Sequence, residues 1–336
     1  MRASTVRVGV LGAGSWGTAL AILLGKNGHA VTLWGRDRAA MAAMAKDRYN
    51  HRYLPGARLP DSVQTSADLE GALADADVVL VVVPSRAFAS TLKRVAKVCP
   101  HPMEVVWGTK GFDPESGGLL HQTAETILPQ GSKLSVLSGP TFAGEIAAEL
   151  PAAVTIASAD NDFAIRVATI FHNPRFRVYN SDDIVGVQTA GAVKNVLAVA
   201  AGIADGLGFG ANTRAALITR GLAEIVRLGV ALGGRMETFM GLAGLGDLVL
   251  TCTDDQSRNR RFGLALAKGL GVDEALASVN QVVEGAETTR QAMAVGERHG
   301  IELPIVEQVY RVIYEHRPPL DAVSALLTRP PSHEGA

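Results

Sequence analysis

Six residues near the amino terminus, Gly12-Ala13-Gly14-Ser15-Trp16-Gly17, leave few folds open to this chain. They fit G-x-G-x-x-G, follow the apolar run 6–11, and open a helix-like segment over 17–27. Each glycine has its own work. Gly12 permits the tight turn, Gly14 lets a pyrophosphate approach the backbone, and Gly17 permits close helix-to-strand packing. Free N–H groups at the start of the helix then bind phosphate. A glycine turn without a ligand is the alternative, but motif position, order and spacing together favour a dinucleotide site.

The rest of the first half repeats this alternation. Residues 30–34, 78–83, 105–107, 134–137 and 152–156 are strand candidates separated by helical or loop stretches, and 176–179 adds one more at the edge. Strands apolar on both faces and interleaved with helices predict a parallel sheet covered on both sides. After about residue 183 the pattern becomes helical, over 184–204, 213–232, 258–269, 287–299 and 304–315, each broken by Gly or Pro. The expected fold is α/β: a Rossmann-type, mostly parallel sheet over 1–182, then an all-α domain over 183–328. A tail over 329–336, with Pro-Pro and little apolar content, is expected to fray.

A chain of 336 residues is about two domains long. Its 32 basic and 33 acidic side chains argue against an extended nucleic-acid surface, while leaving room for a local basic pocket. Cys99 and Cys252 cannot build a disulfide framework, and the histidines lack metal-ligand spacing, so no metal is expected. The start of the chain shows no apolar signal-peptide core. The stretch 190–204 is interrupted by Lys194 and falls short of the roughly 18 uncharged residues a bilayer span needs. These features predict a soluble, cytoplasmic protein without membrane insertion.

The second strand ends in Val31-Thr32-Leu33-Trp34, followed by Gly35-Arg36-Asp37-Arg38. An NAD-selective site usually places a carboxylate here to hold the ribose 2′-hydroxyl. Arg36, helped by Arg38, instead suits a 2′-phosphate, unless the cluster is only a solvated strand end. NADP(H) is favoured and NAD(H) stays open.

Lys194 and Asn195 are the only polar side chains between 190 and 204. A helix apolar on nearly every face is buried, and a buried ammonium is costly unless paired or neutral. Desolvation would make Lys194 a proton donor or acceptor near neutral pH; the other reading is a lysine snorkelling to the surface. Lys110, in Gly108-Thr109-Lys110-Gly111, and Ser138-Gly139-Pro140-Thr141 each follow a strand, where an open α/β sheet binds its ligands. Asp247 is a lone carboxylate in a Gly-rich stretch, placed to orient a lysine or a substrate hydroxyl. Ser257-Arg258-Asn259 starts a helix and suits a phosphate monoester, or is ordinary capping beside a surface arginine.

Eight ordered blocks together resemble the bacterial NAD(P)-dependent glycerol-3-phosphate dehydrogenase family across nearly the whole chain. They are the glycine loop continued through Leu20, Lys110-Gly111, Leu137-Ser138-Gly139-Pro140, the block 191–195, Ala215-Ala216-Leu217-Ile218-Thr219-Arg220-Gly221, the block 244–247, Ser257-Arg258-Asn259 and Val282-Val283-Glu284-Gly285. The resemblance implies reversible hydride transfer between NAD(P)H and dihydroxyacetone phosphate, giving sn-glycerol 3-phosphate for glycerophospholipid synthesis. It implies Lys194 as general acid/base. It places Lys110, Gly139, Thr141, Lys194, Asp247, Ser257, Arg258 and Asn259 around the substrate. Gly12, Gly14, Ser15, Trp16, Gly17, Arg36, Lys110, Ala143, Arg258, Val283 and Glu284 fall at the cofactor. Position 141 is commonly serine in the family, and Thr141 keeps the hydroxyl. A homodimer is usual among similar enzymes.

Two rivals remain at this stage. A β-hydroxyacid or 6-phosphogluconate dehydrogenase also joins a dinucleotide domain to a helical one, but usually with an asparagine four residues after its lysine. Here Asn195 is adjacent and position 198 is alanine. A non-catalytic NADP(H)-sensing module would need the glycines without Lys110, Lys194 and Asp247 together.

Overall fold

A computed structural model of the chain describes residues 5–330. Its ten strands are β1 (Arg7–Leu11), β2 (Ala30–Trp34), β3 (Tyr49–Asn50), β4 (Leu54–Arg58), β5 (Val63–Ser66), β6 (Val78–Val81), β7 (Glu104–Trp107), β8 (Lys133–Ser138), β9 (Ala152–Ala157) and β10 (Phe176–Ser181). Eight of them form one sheet in the order β10-β9-β8-β7-β6-β1-β2-β5. Neighbours are parallel except β8 and β9, which pair antiparallel, Leu137 opposite Ile156. β9 and β10, parallel to each other, therefore run against the rest.

The central strands are apolar because both faces are covered: Val78–Val81 is buried at every position. Phe176–Ser181 takes the sheet edge, as its sequence suggests. The sequence reading did not find β5 or the β3–β4 hairpin. Val-Gln-Thr-Ser is short and mostly polar because it lies at the opposite edge, and Leu-Pro-Gly-Ala-Arg carries two strand breakers. Short helices over Met236–Met240, Asp247–Thr253, Val272–Val279 and Pro319–Leu327 were also not anticipated, since one or two turns give little periodicity.

Among the described residues, those after Ser181 form helices only. Asp183 makes the turn into them. Its carboxylate caps the helix Ile184–Gly206 by accepting from Gly186 N at 2.8 Å, and also accepts from Arg235 N at 2.9 Å and Thr238 Oγ1 at 2.5 Å. Every residue of that helix from 186 to 204 is buried. Its length and composition alone would let it cross a membrane, contrary to the expectation drawn from its charge, but 89% of its most apolar stretch is buried inside the protein. The helix Arg258–Ala267 presses against it at paired glycines. A Cβ on Gly202 would stand 2.1 Å from Arg260 O, and one on Gly263 2.1 Å from Val199 O. That contact places the start of the second helix beside the polar pair of the first. Of the tail expected over 329–336, residues 331–336 lie outside the described residues.

Candidate active site

The glycine loop occupies the carboxyl end of β1, and its three glycines answer to different constraints. Gly12 has φ +124°, and a Cβ there would stand 2.7 Å from Val82 O. A Cβ on Gly17 would stand 1.9 Å from Gly12 O, so only hydrogen fits. Gly14 faces open space, with nothing within 4 Å of its missing side chain. It is also the N-cap of Ser15–Lys26 and offers no side-chain cap, so the first N–H groups of that helix stay free for an anion. Trp16 Nε1 is buried without an acceptor, against Gly108. Ala143, first residue of Ala143–Ala147, packs on the same apolar cluster as Ala13 and Trp16. These features fit a dinucleotide's pyrophosphate.

At the end of β2, Asp37 is committed as a helix cap, its Oδ1 accepting from Ala40 N at 3.0 Å. Arg36 and Arg38 are exposed, and neither has an ion-pair partner among the described residues. Two exposed cations thus flank a carboxylate that is engaged through one oxygen in capping.

The lysine does not snorkel. Lys194 is 6% exposed, and its Nζ donates to Asp247 Oδ1 at 2.7 Å and Thr251 Oγ1 at 2.7 Å. Lys110, arriving from the end of β7, donates to the other carboxylate oxygen, Oδ2, at 2.5 Å. A π-helical turn over Leu242–Gly246 delivers Asp247 to the start of the helix Asp247–Thr253, and Thr251 lies one turn further on the same face. Thr251 Oγ1 donates to Asp247 O at 2.6 Å, which leaves its lone pairs for Lys194.

Two ammoniums thus share one buried carboxylate. Burial, the largest cause, lowers the Lys194 pKa, with Asp247 opposing the fall and Lys110 adding to it, to about 8 in all. Burial would raise Asp247, but the two lysines more than offset this and hold it below the usual carboxylate range. The cluster carries surplus positive charge, as a site for a phosphorylated substrate requires.

Asn195, next along, accepts from Asn259 Nδ2 at 2.9 Å, and Asn259 Oδ1 accepts from Gly285 N at 2.9 Å. One amide hydrogen and the carbonyl of Asn259 are thus engaged within the protein, tying three helices together beside Lys194 and leaving its second amide hydrogen free among the described residues. Ser257 caps its helix by accepting from Arg260 N at 3.2 Å. Arg258, half-buried, has no hydrogen-bond partner among the described residues. Glu284 opens the helix Glu284–His299 after Val283; burial raises its pKa against the fields of Arg258, Lys110 and Lys194. Gly139 holds φ +151° after β8, and Thr141 Oγ1 donates to Gly139 O at 3.3 Å.

Lys110, Lys194, Asp247, Arg258 and Glu284 thus share one electrostatic neighbourhood, while Arg36 stands apart at the end of β2. The sequence reading missed Thr251, whose signal was its spacing of four from Asp247. It gave Asn195 no role. It also missed Asn50, at the end of β3, whose Nδ2 donates to Ala13 O at 3.0 Å and Thr18 Oγ1 at 2.8 Å.

Comparison with known proteins agrees with this geometry. The family profile described as NAD-dependent glycerol-3-phosphate dehydrogenase N-terminus matches residues 7–164, and the corresponding C-terminus profile matches 183–324. A glycerol-3-phosphate dehydrogenase (NAD(P)+) of Pseudoalteromonas translucida is 54% identical over 330 residues, covering 98% of both chains. Its namesake in Thioalkalivibrio sulfidiphilus is 56% identical over 322 residues, covering 96% of this chain and 97% of the other. A crystal structure of glycerol-3-phosphate dehydrogenase from Coxiella burnetii superposes with a TM-score of 0.94 at 46% identity, covering 97% of this chain and 99% of that one. The chain belongs to the NAD-dependent glycerol-3-phosphate dehydrogenase family.

Proposed function

We propose that this chain reduces dihydroxyacetone phosphate reversibly to sn-glycerol 3-phosphate, using a nicotinamide cofactor with NADP(H) preferred. The observation that carries the reading is the pair Lys110 and Lys194 closing on Asp247 where the sheet's carboxyl edge meets the buried helix.

The cofactor, when bound, supplies the hydride for the carbonyl carbon. Gly12, Gly14, Ser15, Trp16 and Gly17 would hold its pyrophosphate, and Ala143, Val283 and Glu284 would also contact the cofactor. Arg36 takes the 2′-phosphate; its exposure without an ion pair supports that role. Lys194, protonated, gives its proton to the carbonyl oxygen in reduction and takes it back in oxidation. A pKa of about 8 suits both directions near neutrality. Asp247 and Thr251 fix the ammonium's position, and Lys110 adds positive charge against the developing alkoxide. Arg258 and Ser257, with the backbone at Gly139 and Thr141, hold the remote phosphate, so that binding energy far from the reacting carbon orients it. Asn259 frames this wall through Asn195 and Gly285.

In this reading the cofactor domain extends to residue 182 and the substrate domain spans 183–328. The product is the backbone precursor of glycerophospholipids. A cytoplasmic setting fits the two free cysteines, of which Cys252 is buried and pushed up to about 12 by desolvation. A homodimer would use the helix Ala211–Ala231, which leaves Ala215, Ala216 and Val230 exposed.

Initial rates with dihydroxyacetone phosphate and each reduced cofactor test the activity, with 3-hydroxyacids as the contrast. Lys194→Ala should lower kcat by about 10²–10⁴-fold. A loss within about tenfold would remove the proton-transfer role.

A further inference from the structure

Anion binding by the glycine loop depends on where its peptide planes point. A trans peptide is planar, so the carbonyl of one residue and the N–H of the next point in opposite directions. There are no cis bonds among the described residues. Whatever captures the Ala13 carbonyl therefore aims the Gly14 N–H the other way. Gly14 is the glycine whose missing side chain faces open space. No acceptor among the described residues takes the Gly14 N–H, which is therefore free for a ligand.

The Ala13 carbonyl is captured by Asn50. This side chain is 3% exposed, and all its bonds go to the loop, its helix or its own turn. Nδ2 donates to Ala13 O at 3.0 Å and to Thr18 Oγ1 at 2.8 Å, spending both amide hydrogens. Oδ1 accepts from Tyr53 N at 3.2 Å, which fixes the carboxamide's orientation from the far side of the β3–β4 turn. Thr18 belongs to the helix Ser15–Lys26, one turn past the loop, and its N–H closes on Gly14 O at 2.9 Å. One amide group thus holds the loop's peptide plane and the helix behind it in a fixed relation.

We infer that Asn50 is a positioning residue for the dinucleotide: by clamping the Ala13 carbonyl it presents the Gly14 N–H to the pyrophosphate. The inference rests on the reading of this loop as the cofactor site. It concerns cofactor affinity alone, since Asn50 touches none of Lys110, Lys194 or Asp247. Aspartate in its place would keep the shape and the acceptor for Tyr53 while losing both donors. Alanine would lose all three bonds.

The test is titration of NADPH and NADH into wild type, Asn50→Ala and Asn50→Asp, with KM for dihydroxyacetone phosphate and kcat at saturating cofactor measured on the same preparations. Loss of a buried, orienting hydrogen bond should raise Kd for both cofactors about tenfold in each variant. KM for the ketone and kcat should stay within about twofold, because the lysine cluster is untouched. Should Asn50→Ala not fold, the isosteric Asn50→Asp carries the same readout. The neutral Asn50→Leu, of similar volume, separates lost donors from an added buried charge: it should weaken both cofactors as Asn50→Asp does. A Kd within about twofold of wild type in the folded variants, or a loss confined to Asn50→Asp, overturns the inference. So does a parallel decline of Kd, KM and kcat, which would mark general loosening of the fold. Failure of wild type to bind either cofactor would instead remove the reading of the site itself.

Discussion

Lys194 donates to Asp247 across 53 residues of chain at 2.7 Å, and the same carboxylate's other oxygen is already held by a second lysine. The arrangement sets a pH dependence. Chiefly through burial, Lys194 comes down to about 8, so in the proposed mechanism the ammonium that would serve reduction disappears above that pH and the amine that would serve oxidation appears. The kcat/KM for ketone reduction should be level below about 8 and fall with unit slope above it, while that for alcohol oxidation should rise toward a plateau. Asp247 is the attraction that keeps the lysine from falling further, so Asp247→Asn should move both breaks to lower pH. Paired pH–rate profiles check this. Breaks that stay in place in Asp247→Asn would dissociate the carboxylate from the titration.

Gly14 and Gly17 stand three residues apart and should respond oppositely to a single methyl. Gly14→Ala adds a Cβ to open space at an ordinary backbone conformation, φ −80°, so folding stability should stay within about 0.5 kcal/mol. Cofactor binding should nevertheless collapse, because the proposed reading gives that space to the pyrophosphate. Gly17→Ala sets a Cβ 1.9 Å from Gly12 O and should destabilise the fold itself by about 1–3 kcal/mol. Urea unfolding beside cofactor titration separates the two. Equal stability losses in both variants would contradict the assignment.

These glycines also mark how far the sequence could be read. Val78–Val81 and the glycine loop were legible because their chemistry is local: burial on both faces, and a turn only glycine makes. Lys194 was legible as an oddity, one charge in an apolar helix, and Asp247 as a carboxylate able to orient a lysine, but the geometry that joins them and the part of Thr251 were not. Asp247 and Thr251 reach it from 53 and 57 residues away through a π-helical turn that periodicity does not announce. The ties of Asn259 to Asn195 and Gly285 were not legible either, because nothing local announces partners 64 and 26 residues away. Asn50 sits in a hairpin whose second strand contains Pro55 and Gly56, which read as loop.

The exposed guanidinium of Arg36 should set cofactor preference. Asp37, the carboxylate at the end of β2, caps the next helix through Oδ1, while Arg36 beside it is exposed without an ion pair among the described residues. Arg36→Ala should raise KM for NADPH about tenfold, the value of a charge-assisted contact, and leave KM for NADH within about twofold. Steady-state kinetics with both cofactors decide it. Equal losses for the two would place Arg36 on a part of the dinucleotide they share.

Far from the chemistry, Glu224 lies in the middle of the helix Ala211–Ala231, 2% exposed, with no cation on it. Its oxygens accept from Ile305 N at 2.7 Å and Val306 N at 3.2 Å, the first free donors of the helix Pro304–Tyr314. Burial pushes its pKa up to about 7 despite those two bonds and the fields of Arg227 and Arg329. From the ordinary value of 4.5 up to about 7, the folded protein keeps a proton that the unfolded chain has lost. Folding then takes up a proton, and this group's contribution to stability declines as pH rises through that window and levels off above it. Glu224→Ala strands two buried N–H groups and should cost about 2 kcal/mol or more at pH 5. The variant lacks the titration, so its deficit against wild type should narrow between pH 5 and pH 7.5. Urea midpoints at the two pH values measure it, and a deficit that widened with pH would mean that the carboxylate is ionised throughout.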